Sequence, residues 1–118
     1  IGEPVTVQMA EETLKDMLPK KVVVDADYIR NITAKHYKIL PADLVGKKRS
    51  NDIAFPRQVA MYLCRFVLDL SLEKIGSYFG GRDHTTVKYA VEKVQDKMQN
   101  DAKFKREIED LLRKLSEG

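Results

Sequence analysis

The sequence predicts an all-α fold, a bundle of six to seven helices that contains a helix-turn-helix. Three observations carry this. Strand signals are nearly absent: Val22-Val23-Val24 is the only β-branched run, and it is too short to anchor a sheet. Apolar residues recur at helical spacing along most of the chain. Capping residues, prolines and glycines stand between these periodic segments, where helices start and stop.

The first segment spans about residues 6–17 and is ended by Pro19. Asp25 or Asp27 caps a second helix that presents Ile29, Ile32 and His36 at helical spacing. Pro41 opens a short turn of helix through Leu44, closed by Gly46. Lys47 to Asp52 is polar and basic and reads as a loop. Pro56 suits the first turn of the next helix, which runs to about Leu68. Val59, Ala60, Met61, Leu63, Cys64, Phe66, Val67 and Leu68 make that helix apolar around most of its circumference. Such a helix belongs at the buried centre of a bundle, and Cys64 reads as a core residue within it. Ser71 caps a short helix bearing Leu72, Ile75 and Phe79, ended by Gly80-Gly81. Asp83 starts a longer one with Val87, Ala90, Val91, Val94 and Met98 on one stripe. Asn100 or Asp101 begins the last, which carries Phe104, Ile108, Leu111 and Leu115.

Composition narrows the function classes. A chain of 118 residues suits one domain, and 43% hydrophobic with 33% charged residues is too apolar for disorder. No window approaches the roughly 20 apolar residues of a membrane span. One cysteine, Cys64, excludes an internal disulfide and a cysteine-based zinc site, and fits a reducing compartment. His36 and His84 lie far apart, with no metal-ligand spacing, and no Gly-rich phosphate loop is present. No N-terminal stretch has the pattern of a signal peptide. The start at Ile1, with a helix-like segment directly behind it, reads as a domain excised from a longer protein.

The formal net charge is +3, and it is not evenly spread. Residues 1–40 hold six basic and six acidic residues, and residues 94–118 also hold six of each. Residues 41–93 hold nine basic and six acidic, so the whole excess lies in the middle. Lys47-Lys48-Arg49 is a run there, while Arg57, Arg65, Lys74, Arg82, Lys88 and Lys93 recur at helical intervals. A basic zone between neutral flanks is the sequence form of an anion-binding face, although a solvated surface gives the same count.

Residues 71–94 supply a short helix, a glycine turn and a longer helix, the parts of a helix-turn-helix. Gly76 stands where the second helix must cross closely over the first. On a helical wheel Thr85, Lys88, Tyr89 and Glu92 oppose the apolar stripe, with His84 and Thr86 flanking the first turn. Recognition helices touch base edges with their N-terminal residues. Here those are Asp83-His84-Thr85-Thr86, short side chains able to hydrogen-bond or to pack on a thymine methyl. Arg82, Lys88 and Lys93 are placed to meet phosphates. Arg57 and Gln58, read as the N-terminus of the central helix, sit where backbone N–H groups also favour a phosphate. A flexible basic loop such as Lys47-Lys48-Arg49 can insert an arginine into the minor groove. Alternatives remain at this level. Asp83 also fits a simple N-cap, Asp83 with His84 lacks the partners of a catalytic pair, and helix–glycine–helix links occur in bundles with no DNA role.

The run Gly80-Gly-Arg-Asp-His-Thr-Thr-Val87 closely resembles the signature of the bacterial DnaA replication initiator family. Lys47-Lys-Arg49 and Phe55-Pro-Arg-Gln-Val-Ala-Met-Tyr-Leu63 resemble that family's basic loop and central helix. The resemblance makes residues 21–118 the DNA-binding domain, and 1–20 a connector helix with the tail of a preceding ATPase lid. It implies that one monomer binds double-stranded DNA at a DnaA box, a short asymmetric site at the replication origin. It further implies that Asp83, His84 and Thr85 read bases in the major groove and that Arg49 enters the minor groove. Thr86 and Arg82 would act through the DNA backbone, as would Lys48, Arg57, Gln58, Arg65, Leu72, Lys88 and Lys93. Asp69 and Glu73 depart from this pattern by bringing acid to the same side. No enzymatic activity and no cofactor are expected here, because the family's ATP belongs to an ATPase domain absent from this chain. Other copies of the full-length initiator would associate through absent domains, and the setting implied is the bacterial cytoplasm, at the nucleoid. The rival readings are a helix-turn-helix transcription regulator reading another operator, and a protein-interaction bundle.

Overall fold

The computed structural model describes residues 24–117. They form six helices and no strand: α1 (Ala26–Tyr37), α2 (Pro41–Val45), α3 (Asn51–Leu68), α4 (Leu72–Tyr78), α5 (His84–Asn100) and α6 (Ala102–Glu117). The helix expected over 6–17 and the segment assigned to 1–20 lie outside the described residues.

Local chemistry accounts for most boundaries. Of the two candidate caps, Asp25 is the one used: its carboxylate accepts the Tyr28 N–H at 2.8 Å. Pro41 starts α2 and Gly46 closes it, as expected. Ser71 caps α4 through the Lys74 N–H at 3.1 Å. Asp101 alone separates α5 from α6, and its carboxylate accepts the Phe104 N–H at 3.1 Å.

The central helix departs from expectation at both ends. α3 begins at Asn51 with Ser50 as its N-cap residue, so the loop is shorter than 47–52. Pro56 therefore lies inside the helix rather than in its first turn. It is tolerated because the carbonyl deprived of a donor is that of Asp52, an exposed residue in the first turn. Arg57 and Gln58 are correspondingly interior residues of α3, and the free N–H groups at its start belong elsewhere. At the other end Phe66 and Val67 are 61% and 37% exposed, against the expectation of burial. They follow Cys64, the last buried residue of α3, and lie on a side of the helix that the core does not cover, although Leu68 beyond them still packs on it; Phe66 stacks on Tyr62, at 5.8 Å.

Between those ends α3 is the centre of the bundle. It packs against α5 most extensively, and against α1, α2 and α4. Val59, Ala60, Leu63 and Cys64 are sealed from solvent, and burial pushes the Cys64 thiol up to about 12. α6 buries Phe104, Ile108, Leu111 and Leu115 against α5 and α1. Its tie to α1 includes a hydrogen bond from the Tyr37 hydroxyl to Glu107 Oε2 at 2.6 Å. This frame leaves α4, the following turn and the start of α5 on one side, beside the loop after α2.

Candidate nucleic-acid interface

The turn between α4 and α5 is built on glycine. Gly76 is buried, and a Cβ there would collide with the main-chain oxygen of Arg82. Its own carbonyl accepts the N–H groups of Phe79, Gly81 and Arg82 at 3.0–3.1 Å, wrapping the chain back over the end of α4. Gly80 and Gly81 take φ of 84° and 78°, the left-handed region. Gly80 is needed for space as well, since a Cβ would strike the carbonyl oxygen of Val45 at the end of α2.

Asp83 then caps α5 by accepting the Thr86 N–H at 2.8 Å. The Thr86 N–H first, and its hydroxyl, hold the Asp83 carboxyl below the usual carboxylate range. Capping occupies Oδ1, and the residue stays exposed, so cap and base contact are compatible roles. Val87, Ala90, Val91 and Val94 point into the core and Met98 is half-buried. His84, Thr85, Thr86, Lys88, Tyr89 and Glu92 are all exposed, as the helical wheel requires. Tyr89 is 61% exposed, and the Lys93 ammonium lies 5.9 Å from the centre of its ring.

The loop after α2 meets this turn at two arginines. Arg57 is only 6% exposed. Its Nε donates to the Leu44 carbonyl at 2.8 Å, and its Nη2 to the carbonyls of Asp43 at 2.9 Å and Gly46 at 3.3 Å. Arg82 donates through Nη2 to the same Gly46 carbonyl at 2.6 Å, and through Nη1 to the carbonyl of Phe79. A cleft opens between loop and turn, lined by Val45, Gly46, Lys47, Arg49, Arg57, Gly80, Arg82 and Thr86. Four of these residues are cations and none is an acid. Burial first, and then Arg82, lower the pKa of Arg57; burial and Arg49 lower that of Arg82. Both stay protonated near neutrality, so the cleft concentrates positive charge that a polyanion relieves.

The other expected contact residues are spread around this centre. Lys48 is exposed and pairs with Asp43 at 3.4 Å. Arg65 donates to the Leu70 carbonyl at 2.8 Å and lies 3.6 Å from Asp69, so the acid suspected there does meet a basic residue. Gln58 is half-buried and its buried Oε1 has no hydrogen-bond partner among the described residues. Leu72 is half-buried at the first position of α4. Lys88 and Lys93 lie along the exposed side of α5. Arg49, Arg57, Arg82 and Thr86 thus share one cleft, whereas Arg65 is not among the residues that line it. Side-chain reasoning overlooked the Gly46 carbonyl, because a main-chain acceptor leaves no mark in a residue pattern. Among the described residues no cluster of His, Cys, Asp and Glu could hold a metal ion, and no helix is long and apolar enough to cross a membrane.

Residues 26–94 match the family described as the bacterial dnaA protein helix-turn-helix. The chain is also similar to a solved structure titled as that of a DNA replication initiation factor, with 31% identity and a TM-score of 0.70. That match covers 76% of this chain and 27% of the other, so the chain spans about a quarter of that protein's length.

Proposed function

The chain belongs to the bacterial DnaA helix-turn-helix family, and on that premise we propose that it is the DNA-binding domain of a replication initiator, reading DnaA boxes in duplex DNA. The observation that carries this is the cationic cleft beside the first turn of α5, where Lys47, Arg49, Arg57 and Arg82 adjoin Thr86 with no acid among them. α5 enters the major groove with Asp83, His84 and Thr85 at base edges. Arg49, exposed on the loop, reaches the adjacent minor groove, and Lys48, Thr86, Lys88 and Lys93 meet the sugar-phosphate backbone. The domain acts by binding alone, without catalysis or cofactor, as a monomer on each asymmetric box, in the cytoplasm at the nucleoid.

The test is a salt titration of binding to a DnaA-box duplex and to a scrambled duplex of equal length. The reading expects selective binding to the box and a steep loss of affinity for both duplexes as salt rises. Equal affinity for the two overturns the assignment to DnaA boxes. A preference for a palindrome bound by a dimer points to a transcription regulator, and salt-insensitive or absent binding removes the DNA role altogether.

A further inference from the structure

We infer that Arg57 is a positioning residue that clamps the basic loop to the helix-turn-helix, setting where Arg49 stands relative to the start of α5; this rests on the DNA-binding reading above. A positively charged residue beside a DNA-binding face is ordinarily assigned to phosphate. The geometry points to a different role for this one.

α2 is a single turn of five residues, too short to hold its shape alone, and its last carbonyls need donors from outside the helix. Arg57 supplies them. Its guanidinium satisfies Leu44, Asp43 and Gly46 from a site 6% exposed, and only Nη1 makes no hydrogen bond among the described residues. Arg57 follows the loop in the chain, while the carbonyls it grips precede it. Both ends of the loop are therefore fastened to α3, with Lys47 to Ser50 held between them.

Arg82 completes the connection. It reaches Gly46 at 2.6 Å across 36 residues of sequence, from the residue just before the cap of α5. One main-chain oxygen thus receives an arginine from the central helix and an arginine from the turn. Gly80 presses against the neighbouring Val45 carbonyl with no room for a side chain, so the loop and the turn meet in a single packed joint. Two DNA-reading elements that approach different grooves must keep a set spacing, and this joint is what keeps it.

The test uses Arg57→Lys, which keeps the charge and loses the fork of donors. In the DNA-free 118-residue protein, amide exchange at 46–50 and 80–82 should rise about tenfold or more, with α6 protected as in wild type. On DNA, affinity for the box should fall about tenfold while affinity for a scrambled duplex and the salt slope stay unchanged. In an Arg49→Ala background the same substitution should cost less than about twofold, because the residue being positioned is gone. Arg82→Lys, which loosens the other side of Gly46, should reproduce the exchange and binding effects and carries the test if Arg57→Lys fails to fold. Wild-type exchange in the loop overturns the inference whatever happens on DNA. Equal losses on both duplexes with a flatter salt slope also overturn it, by making Arg57 a phosphate ligand. A wild type that does not prefer the box overturns the reading above, and the exchange result still decides the clamp.

Discussion

The main-chain oxygen of Arg82 occupies the space that a side chain on Gly76 would need. The two residues are six apart in sequence, and their contact sets how closely the turn folds over α4 before α5 begins. Because the obstructing atom is backbone, it has no rotamer by which to move aside. Gly76→Ala should cost about 1–3 kcal/mol of stability in denaturant unfolding, the usual range for overpacking. It should also lower box affinity below what unfolding explains, by displacing the start of α5. Wild-type stability and affinity in this variant would show that the joint yields.

The base-reading and phosphate roles proposed for the exposed face of α5 are separable by substitution. Thr85→Ala and His84→Ala should each cost about 1–3 kcal/mol on the box and little on scrambled duplex. Lys88→Ala should weaken both duplexes alike and reduce the salt slope by about one. Equal losses on the two duplexes for the Thr85 and His84 variants would remove them from the base-reading set.

Asp83 caps α5, and substitution can divide that role from the base contact proposed for it. Asparagine is a comparable N-cap without the charge, so Asp83→Asn should keep most of the thermal midpoint while changing box affinity. Asp83→Ala should lower both. The Asp83 carboxyl is held below its unfolded pKa, so its ionised form stabilises the native state. That contribution is present above about pH 4 and is lost as pH falls through the folded value. The gap in thermal midpoint between wild type and Asp83→Ala should therefore be full at pH 6 and narrow as pH falls below about 4. A gap of unchanged size in strong acid would detach the cap from the charge.

Thr33 of α1 is sealed from solvent, and its hydroxyl has no hydrogen-bond partner among the described residues. A buried hydroxyl left unpaired is costly, and valine offers the same shape without it. Thr33→Val should raise the unfolding free energy by about 1 kcal/mol and leave DNA binding unchanged. A loss of stability would mean that the hydroxyl is bonded in solution.

Much of this protein was legible before any fold was known, for a physical reason. Caps and helix faces are set by residues three or four apart, so Asp25, Ser71 and Asp83, and the exposed face from His84 to Glu92, are local facts of the sequence. Ser50, a residue type favoured at N-caps, even marks the early start of α3 that Pro56 obscures. By itself the sequence determined the six described helices, apart from the start of α3, and the side of α5 that faces solvent. It could not place Arg57, whose burial depends on which carbonyls stand opposite it, nor foresee Phe66 and Val67 in solvent, since exposure depends on which sides of α3 its neighbours cover. Nor could it find Gly46, whose part is played by a main-chain oxygen common to every residue. Only the tertiary structure brought residues 46, 57 and 82 to one point, because the hydrogen bonds joining them span elements that sequence spacing does not relate.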